Sequence, residues 1–201
     1  MRKAISLLLL VQLALVLFTI VLFAAPLPRK AAEFVIHMPD GKELLLSSYR
    51  GKTVVLALMF TTCPHCQKNA QVLSDVQKEY ASKGVQVLGA TFDQDASRQV
   101  AQFDAIFAKG FPCGYTTNDK VMQFLQQPAN KPPMVPIMVF IDKTGMIRSL
   151  KMVTEDTKPD GPEQVFFQRP EITIRAELDR MLKGEKTSTS SVKTAPKTPG
   201  S

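Results

Sequence analysis

The chain of 201 residues has no tryptophan, only two histidines and only three cysteines. That thin supply of metal-binding side chains leaves no closed structural zinc site, which needs four ligands and usually two closely spaced pairs. Cys63, His65 and Cys66 lie together, but His37 and Cys113 are far from them in sequence. No internal repeat divides the chain. Nor is there a basic patch interleaved with aromatics; the net charge of +7 sits partly in the two ends, and nothing calls for nucleic acid.

What is present is concentrated in Cys63-Pro64-His65-Cys66. Two thiols separated by two residues form and break a disulfide with little backbone movement. The preceding stretch, 53–60, is a continuous apolar run rich in β-branched residues, as a buried strand requires. The following stretch, 67–82, carries Ala70, Leu73, Val76 and Tyr80 at helical spacing. The pair therefore sits at a strand-to-helix junction. The partial positive charge and free N–H groups of a helix N-terminus favour a thiolate there. Such a pair reads as a redox site that needs no cofactor. Thiolates are also soft ligands, so a copper-binding dithiol assisted by nearby methionines stands as an alternative.

The two ends differ from the middle. After Met1, Arg2 and Lys3, residues 4–25 are apolar apart from Ser6, Gln12 and Thr19. A secretory h-region is about 7–15 residues and a membrane span about 20, so the length favours an uncleaved signal-anchor over a cleaved signal. Cleavage after Ala25 would also place Pro26 at the scissile bond. Arg2 and Lys3 hold the short N-terminus in the cytoplasm, and Arg29 and Lys30 weaken that bias without reversing it. The body then lies outside the cytoplasm, where disulfides persist. Residues 184–201 are rich in Lys, Thr, Ser and Pro and read as a disordered basic tail. The expected organisation is an anchor over 1–25, a linker over 26–32, one domain over 33–183 and the tail.

Within the body, strands are expected over 34–38 and 42–46 around the turn Pro39-Asp40-Gly41, then over 53–60, 85–91, 137–141 and 146–153. Residues 111–115 form a short strand or connector. Helices are expected over 67–82, 97–109, 119–127 and 170–182, with Gly84 closing the first, and 157–162 reads as a loop. Strands alternating with helices and ending in a hairpin describe an α/β fold whose mixed sheet is covered on both faces.

Four blocks in this order resemble the thioredoxin-fold superfamily, specifically its membrane-anchored TlpA/ResA-like redoxins. They are Asp40-Gly41-Lys42 with Tyr49-Arg50-Gly51-Lys52, the strand running into Cys63-Pro64-His65-Cys66, Val135-Pro136-Ile137, and Phe140-Ile141-Asp142-Lys143-Thr144-Gly145. The resemblance implies a thioredoxin-like fold with an N-terminal β-hairpin extension. It implies that Cys63 is the exposed nucleophile, Cys66 the resolving thiol, and Pro136 a cis-proline that aims the Val135 backbone at an extended substrate. Pro64 and His65 would tune the redox couple, and Thr62 would shape access to Cys63. The implied activity is thiol–disulfide exchange on extracytoplasmic protein thiols, supported by a membrane redox partner, from a single-pass anchor in the bacterial inner membrane. A cleaved signal would make the protein secreted.

The chain departs from the pattern in three places. Thr62 stands where the family usually has Trp, and Asn69 where it often has Glu. The strand over 53–60 carries no acid, whereas thioredoxin buries one there as a proton acceptor. The Pro-His dipeptide, and Val before the cis-proline, are similar to the periplasmic oxidase DsbA, while the architecture is that of TlpA and ResA, so the direction of electron flow stays open. A peroxiredoxin is disfavoured because Phe60, not Thr, lies three residues before Cys63. Cys113 reads as a small buried hydrophobe.

Overall fold

The structure is a computed structural model that describes residues 27–127, 134–155 and 157–192. The apolar stretch 4–25, the segment 128–133 and residues 193–201 lie outside the described residues, and with them the expected signal-anchor and the end of the expected tail. No described helix is long and apolar enough to cross a membrane.

The centre of the fold is strand β4, Thr53–Met59, in which every residue is buried. It pairs in parallel with β5, Val85–Thr91, on one side and antiparallel with β7, Met134–Ile141, on the other. A strand enclosed on both faces has no use for polar alternation, which is why its sequence is an unbroken apolar run. Val55, Ala57 and Met59 face one core; Val54, Leu56 and Leu58 face the other. Each such buried Val or Leu side chain stabilises the fold by about 1.5–3 kcal/mol.

Helices α1, Pro64–Tyr80, and α2, Ala96–Phe107, carry the chain from β4 to β5 and from β5 to β6, Cys113–Tyr115. Both connections join parallel neighbours. Helix α3, Asn118–Leu125, crosses to the second face, where Val121, Met122, Phe124 and Leu125 are buried. Strand β8, Met146–Val153, returns antiparallel along β7 through a turn in which Gly145 has φ +83°. A side chain there would be strained and would strike the Arg50 guanidinium. A short helix and a long one finish the fold, α4, Pro162–Gln168, and α5, Pro170–Val192, which pack Phe166, Ile174, Leu178 and Met181 onto the first face.

The remaining strands extend the sheet at both edges, giving the order β1-β8-β7-β4-β5-β6-β2-β3. The hairpin of β2, Val35–His37, and β3, Glu43–Leu45, is the expected N-terminal extension and docks through His37 on Tyr115 of β6. The fold is thus the expected thioredoxin-like mixed sheet with helices on both faces.

Three expectations change. Residues 29 and 30, read as linker, form β1, Arg29–Lys30, paired with Ile147 and Met146 of β8; Ala31 beside them is buried. The Arg29 guanidinium donates to the carbonyls of Phe124 and Leu125 at 3.0 and 3.1 Å, so a cation closes the C-terminus of α3. Helix α4 was not expected after the 157–162 loop. Helix α5 runs through Gly184 to Val192, beyond the boundary expected for the tail; one interior glycine costs only about 1 kcal/mol against alanine, too little to stop a helix already anchored by its core face.

A Cβ at Gly114 would run into the His37 carbonyl and approach Ile36 Cγ2 to 2.7 Å. Gly114→Ala is therefore expected to push the β2–β3 hairpin off β6 and cost about 1–3 kcal/mol. A lowered urea midpoint checks this, and a midpoint equal to the wild type's would show that the hairpin is not docked as described.

Candidate active site

Beyond β4 the chain turns once and enters α1. Cys63 is the residue before the helix, with extended backbone angles (φ −80°, ψ 119°), and Pro64 takes the first helical position, where its missing N–H costs nothing. The Gln67 N–H donates to the Cys63 carbonyl at 3.0 Å, closing the first turn around both cysteines. Cys63 is half-buried, whereas Cys66 is 0% exposed and packs into the first core. Both thiols are free. The Phe60 N–H points at Cys66 Sγ, 3.5 Å away. Burial pushes the Cys66 thiol far above its ordinary 9.0; the Phe60 N–H pulls it back, while Cys63 and the charge of Asp93 add to the rise. One thiol is reachable and its neighbour is dry.

Facing the pair is the Val135–Pro136 bond, which is cis. The Cys63 Sγ lies 4.0 Å from the Val135 carbonyl oxygen. Pairing of β7 with β8 jumps from Met134–Val153 to Met138–Lys151, and pairing with β4 starts only at Ile137. Val135 therefore belongs to neither ladder, and its backbone lies beside the reachable thiol.

The remaining expected site residues divide. Pro64 and His65 are exposed on the first turn of α1. His65 shares a cavity of about 450 Å³ with Val135 and Pro136. Thr62 does not join them: it lines a separate cavity of about 310 Å³ with Gln67, Gln99 and Ile106. The three residues expected to bind substrate are thus not one surface, because Thr62 precedes the cysteines on the side turned toward α2. Cys113 is fully buried with its Sγ against Gly89, and burial, aided by the Asp104 charge, pushes its thiol up. Among the described residues no three His, Cys, Asp or Glu side chains gather to hold a metal.

The sequence reading missed Asp93. Its carboxylate accepts from the Thr61 N–H at 2.8 Å and from the Thr61 hydroxyl at 2.6 Å. The Thr61 carbonyl accepts from Gln67 Nε2 at 3.0 Å, and its hydroxyl also lies 2.8 Å from Gln99 Oε1. Every polar atom of Thr61 is engaged, two residues before Cys63. The available signal was an Asp just past the C-terminal end of β5, whose Thr91 is level with Met59. Asn69, in place of the family's frequent Glu, is 1% exposed; its amide nitrogen donates to the His65 carbonyl at 2.8 Å and stiffens the same turn.

Residues 27–165 match the redoxin family. The chain belongs to the redoxin family. Among curated relatives, it is 28% identical to the thiol-disulfide oxidoreductase ResA of Geobacillus thermodenitrificans over 64% of this chain and 72% of that protein. It is also 28% identical to the same-named protein of Geobacillus kaustophilus, over 75% of this chain and 84% of that one. A solved structure of a thiol:disulfide interchange protein, a thioredoxin family protein from Chlorobium tepidum, superposes with a TM-score of 0.57 at 20% identity, covering 79% of this chain and 99% of that one. This redoxin is TlpA/ResA-like and an oxidoreductase.

Two expectations follow for the redoxin site. Asp93→Asn keeps an acceptor for the Thr61 N–H and removes the charge, whereas Asp93→Ala leaves the Thr61 N–H unpartnered at about 1–3 kcal/mol. The alanine variant should show the larger drop in urea midpoint. The asparagine variant should titrate Cys66 at lower pH, seen in thiolate absorbance; no change in that titration would remove the charge from the account. The second concerns alkaline stability. A thiol held up in the folded state stabilises it fully below the unfolded value near 9.0 and loses that contribution as pH rises beyond it. Reduced protein should lose about 1.4 kcal/mol per pH unit for each such thiol above pH 9, and Cys66→Ala should flatten the slope. An identical slope in wild type and variant would contradict the burial of Cys66.

Proposed function

We propose that this redoxin exchanges thiols and disulfides with proteins outside the cytoplasm, using Cys63 and Cys66 through a mixed disulfide. The observation that carries the reading is the division between the two thiols: Cys63 half-exposed beside the Val135 carbonyl, Cys66 fully buried behind it. In the reducing direction the Cys63 thiolate attacks a substrate disulfide, forming a Cys63–substrate disulfide and releasing one substrate thiol. Cys66 then attacks Cys63 Sγ, forming the Cys63–Cys66 disulfide, and its proton ends on the departing substrate sulfur, which leaves as the second thiol. Two electrons pass to the substrate, and a membrane redox partner restores them. The oxidising direction is the same sequence reversed.

The burial that pushes Cys66 up slows the resolving step and so lengthens the life of the mixed disulfide. His65 and Pro64 face solvent on the first turn, where a charge or hydrogen bond from His65 acts on the Cys63 sulfur as the couple changes state. The extracytoplasmic placement rests on the apolar stretch 4–25 and its charged flank.

Trapping tests the mechanism directly. Cys66→Ala should accumulate adducts with partner proteins that dissolve on adding dithiothreitol, and Cys63→Ala should accumulate none. Adducts through Cys63→Ala, or none through either variant, would sink the assignment of roles. Equilibration against glutathione then sets the direction: a potential near about −120 mV marks an oxidant of secreted thiols, and one at or below about −270 mV a reductant fed by a membrane donor.

A further inference from the structure

We propose that the cavity between the cysteine helix and α4 is a specificity pocket for an extended substrate polypeptide. It takes an apolar side chain two residues from the substrate cysteine, with an acidic side chain at its rim. The proposal rests on the exchange reaction above and adds to it which substrates are preferred.

Three observations converge. The first is position. The cavity, about 450 Å³, shares Val135 with the reachable thiol, and the Val135 backbone lies outside both ladders of β7. An extended chain laid along that free backbone puts its cysteine against Cys63. Alternate side chains share one face of an extended strand, so the residue two positions away comes down about 7 Å along the groove, on the same face as the cysteine.

The second is chemistry. Val135, Pro136, Val153 and Phe167 give the cavity its apolar surface, Gln164 and Gln168 of α4 add neutral polar groups, and Met134 at the mouth is 53% exposed. The charged or ionisable lining is His65 and Lys68, both exposed on α1, and no described lining residue is acidic. An apolar slot with a basic rim complements an apolar side chain followed by a carboxylate, and repels a basic one.

The third is where the far wall comes from. Phe167 and Gln168 lie beyond residue 165, where the match to the redoxin family ends. The dithiol and the Val135–Pro136 bond lie inside that match and this wall just past it. Substrate preference can thus be altered on α4 without touching the dithiol.

The test uses the full chain with dithiothreitol as electron donor. Its substrates are single-cysteine peptides of Ala and Ser, each disulfide-linked to cysteamine. Cys63 displaces cysteamine as its thiol, Cys66 then releases the peptide thiol, and dithiothreitol re-reduces the pair. Leu two residues from the cysteine, on one side of it, should raise kcat/KM about tenfold over Ala. An added Asp beyond it should raise kcat/KM further by about threefold and an added Lys should lower it. Phe167→Ala should erase the Leu preference. Lys68→Glu should invert the order of Asp and Lys, and being an exposed change on α1 it leaves the core intact. Equal rates for all peptides, a wild-type preference for Lys, or preferences untouched by both substitutions would overturn the pocket while leaving the exchange reaction standing. No turnover of any peptide, with no adduct trapped by Cys66→Ala, would remove the exchange reaction and the pocket together.

Discussion

The dryness of β4 is the constraint on which the rest depends. Its side chains enter two cores at once, Val54, Leu56 and Leu58 on one face and Val55, Ala57 and Met59 on the other. A slip of one residue would exchange the two sets and drag Thr53 or Phe60 out of place, so its register is fixed from both sides. The cysteine turn inherits that fixed position. The two backbone N–H groups just past the strand are both engaged: that of Phe60 with the buried thiol and that of Thr61 with Asp93. The site is precise because it continues a strand that is buried along its whole length and paired on both sides.

The same dryness separates the electrostatics of the site from its packing. Strand β4 is buried on both faces and carries no carboxylate on either. A negative side chain that bears on Cys66 comes instead from beyond the end of β5, where Asp93 is half-buried and held by hydrogen bonds to Thr61. It acts mainly as a fastener for the turn. Its charge opposes ionisation of Cys66, as burial does, so the two thiols are kept unlike. The loss of the family's usual acid at position 69 follows the same pattern: Asn69 spends its amide on the His65 carbonyl, a structural bond with no charge to offer.

Much of this was readable in advance, and the reasons are particular. The runs forming β4, β5 and β7 announce themselves because central strands are apolar throughout, and Gly84 marks the close of the first helix by its left-handed φ of +82°. The dithiol and the cis-proline are local in sequence. What the chain concealed was short or assembled across distance. Strand β1 is two residues long and owes its existence to the free edge of β8. Helix α4 is seven residues and is defined by where Phe166 packs, which no spacing reveals. Asp93 lies thirty residues from the dithiol in the chain and reaches the site because parallel pairing sets Thr91 beside Met59. Thr62, adjacent to Cys63 in sequence, turns away because one step along a turn changes the face a side chain sees.

Strand β1 also fixes a length. Its Arg29 is bonded to the end of α3 and its backbone to β8, so the folded body begins four residues after Ala25. Four residues of fully extended chain reach about 14 Å. Were the apolar stretch 4–25 the anchor its length suggests, that sheet edge would sit on a leash shorter than the width of the domain, and partners would have to come to it.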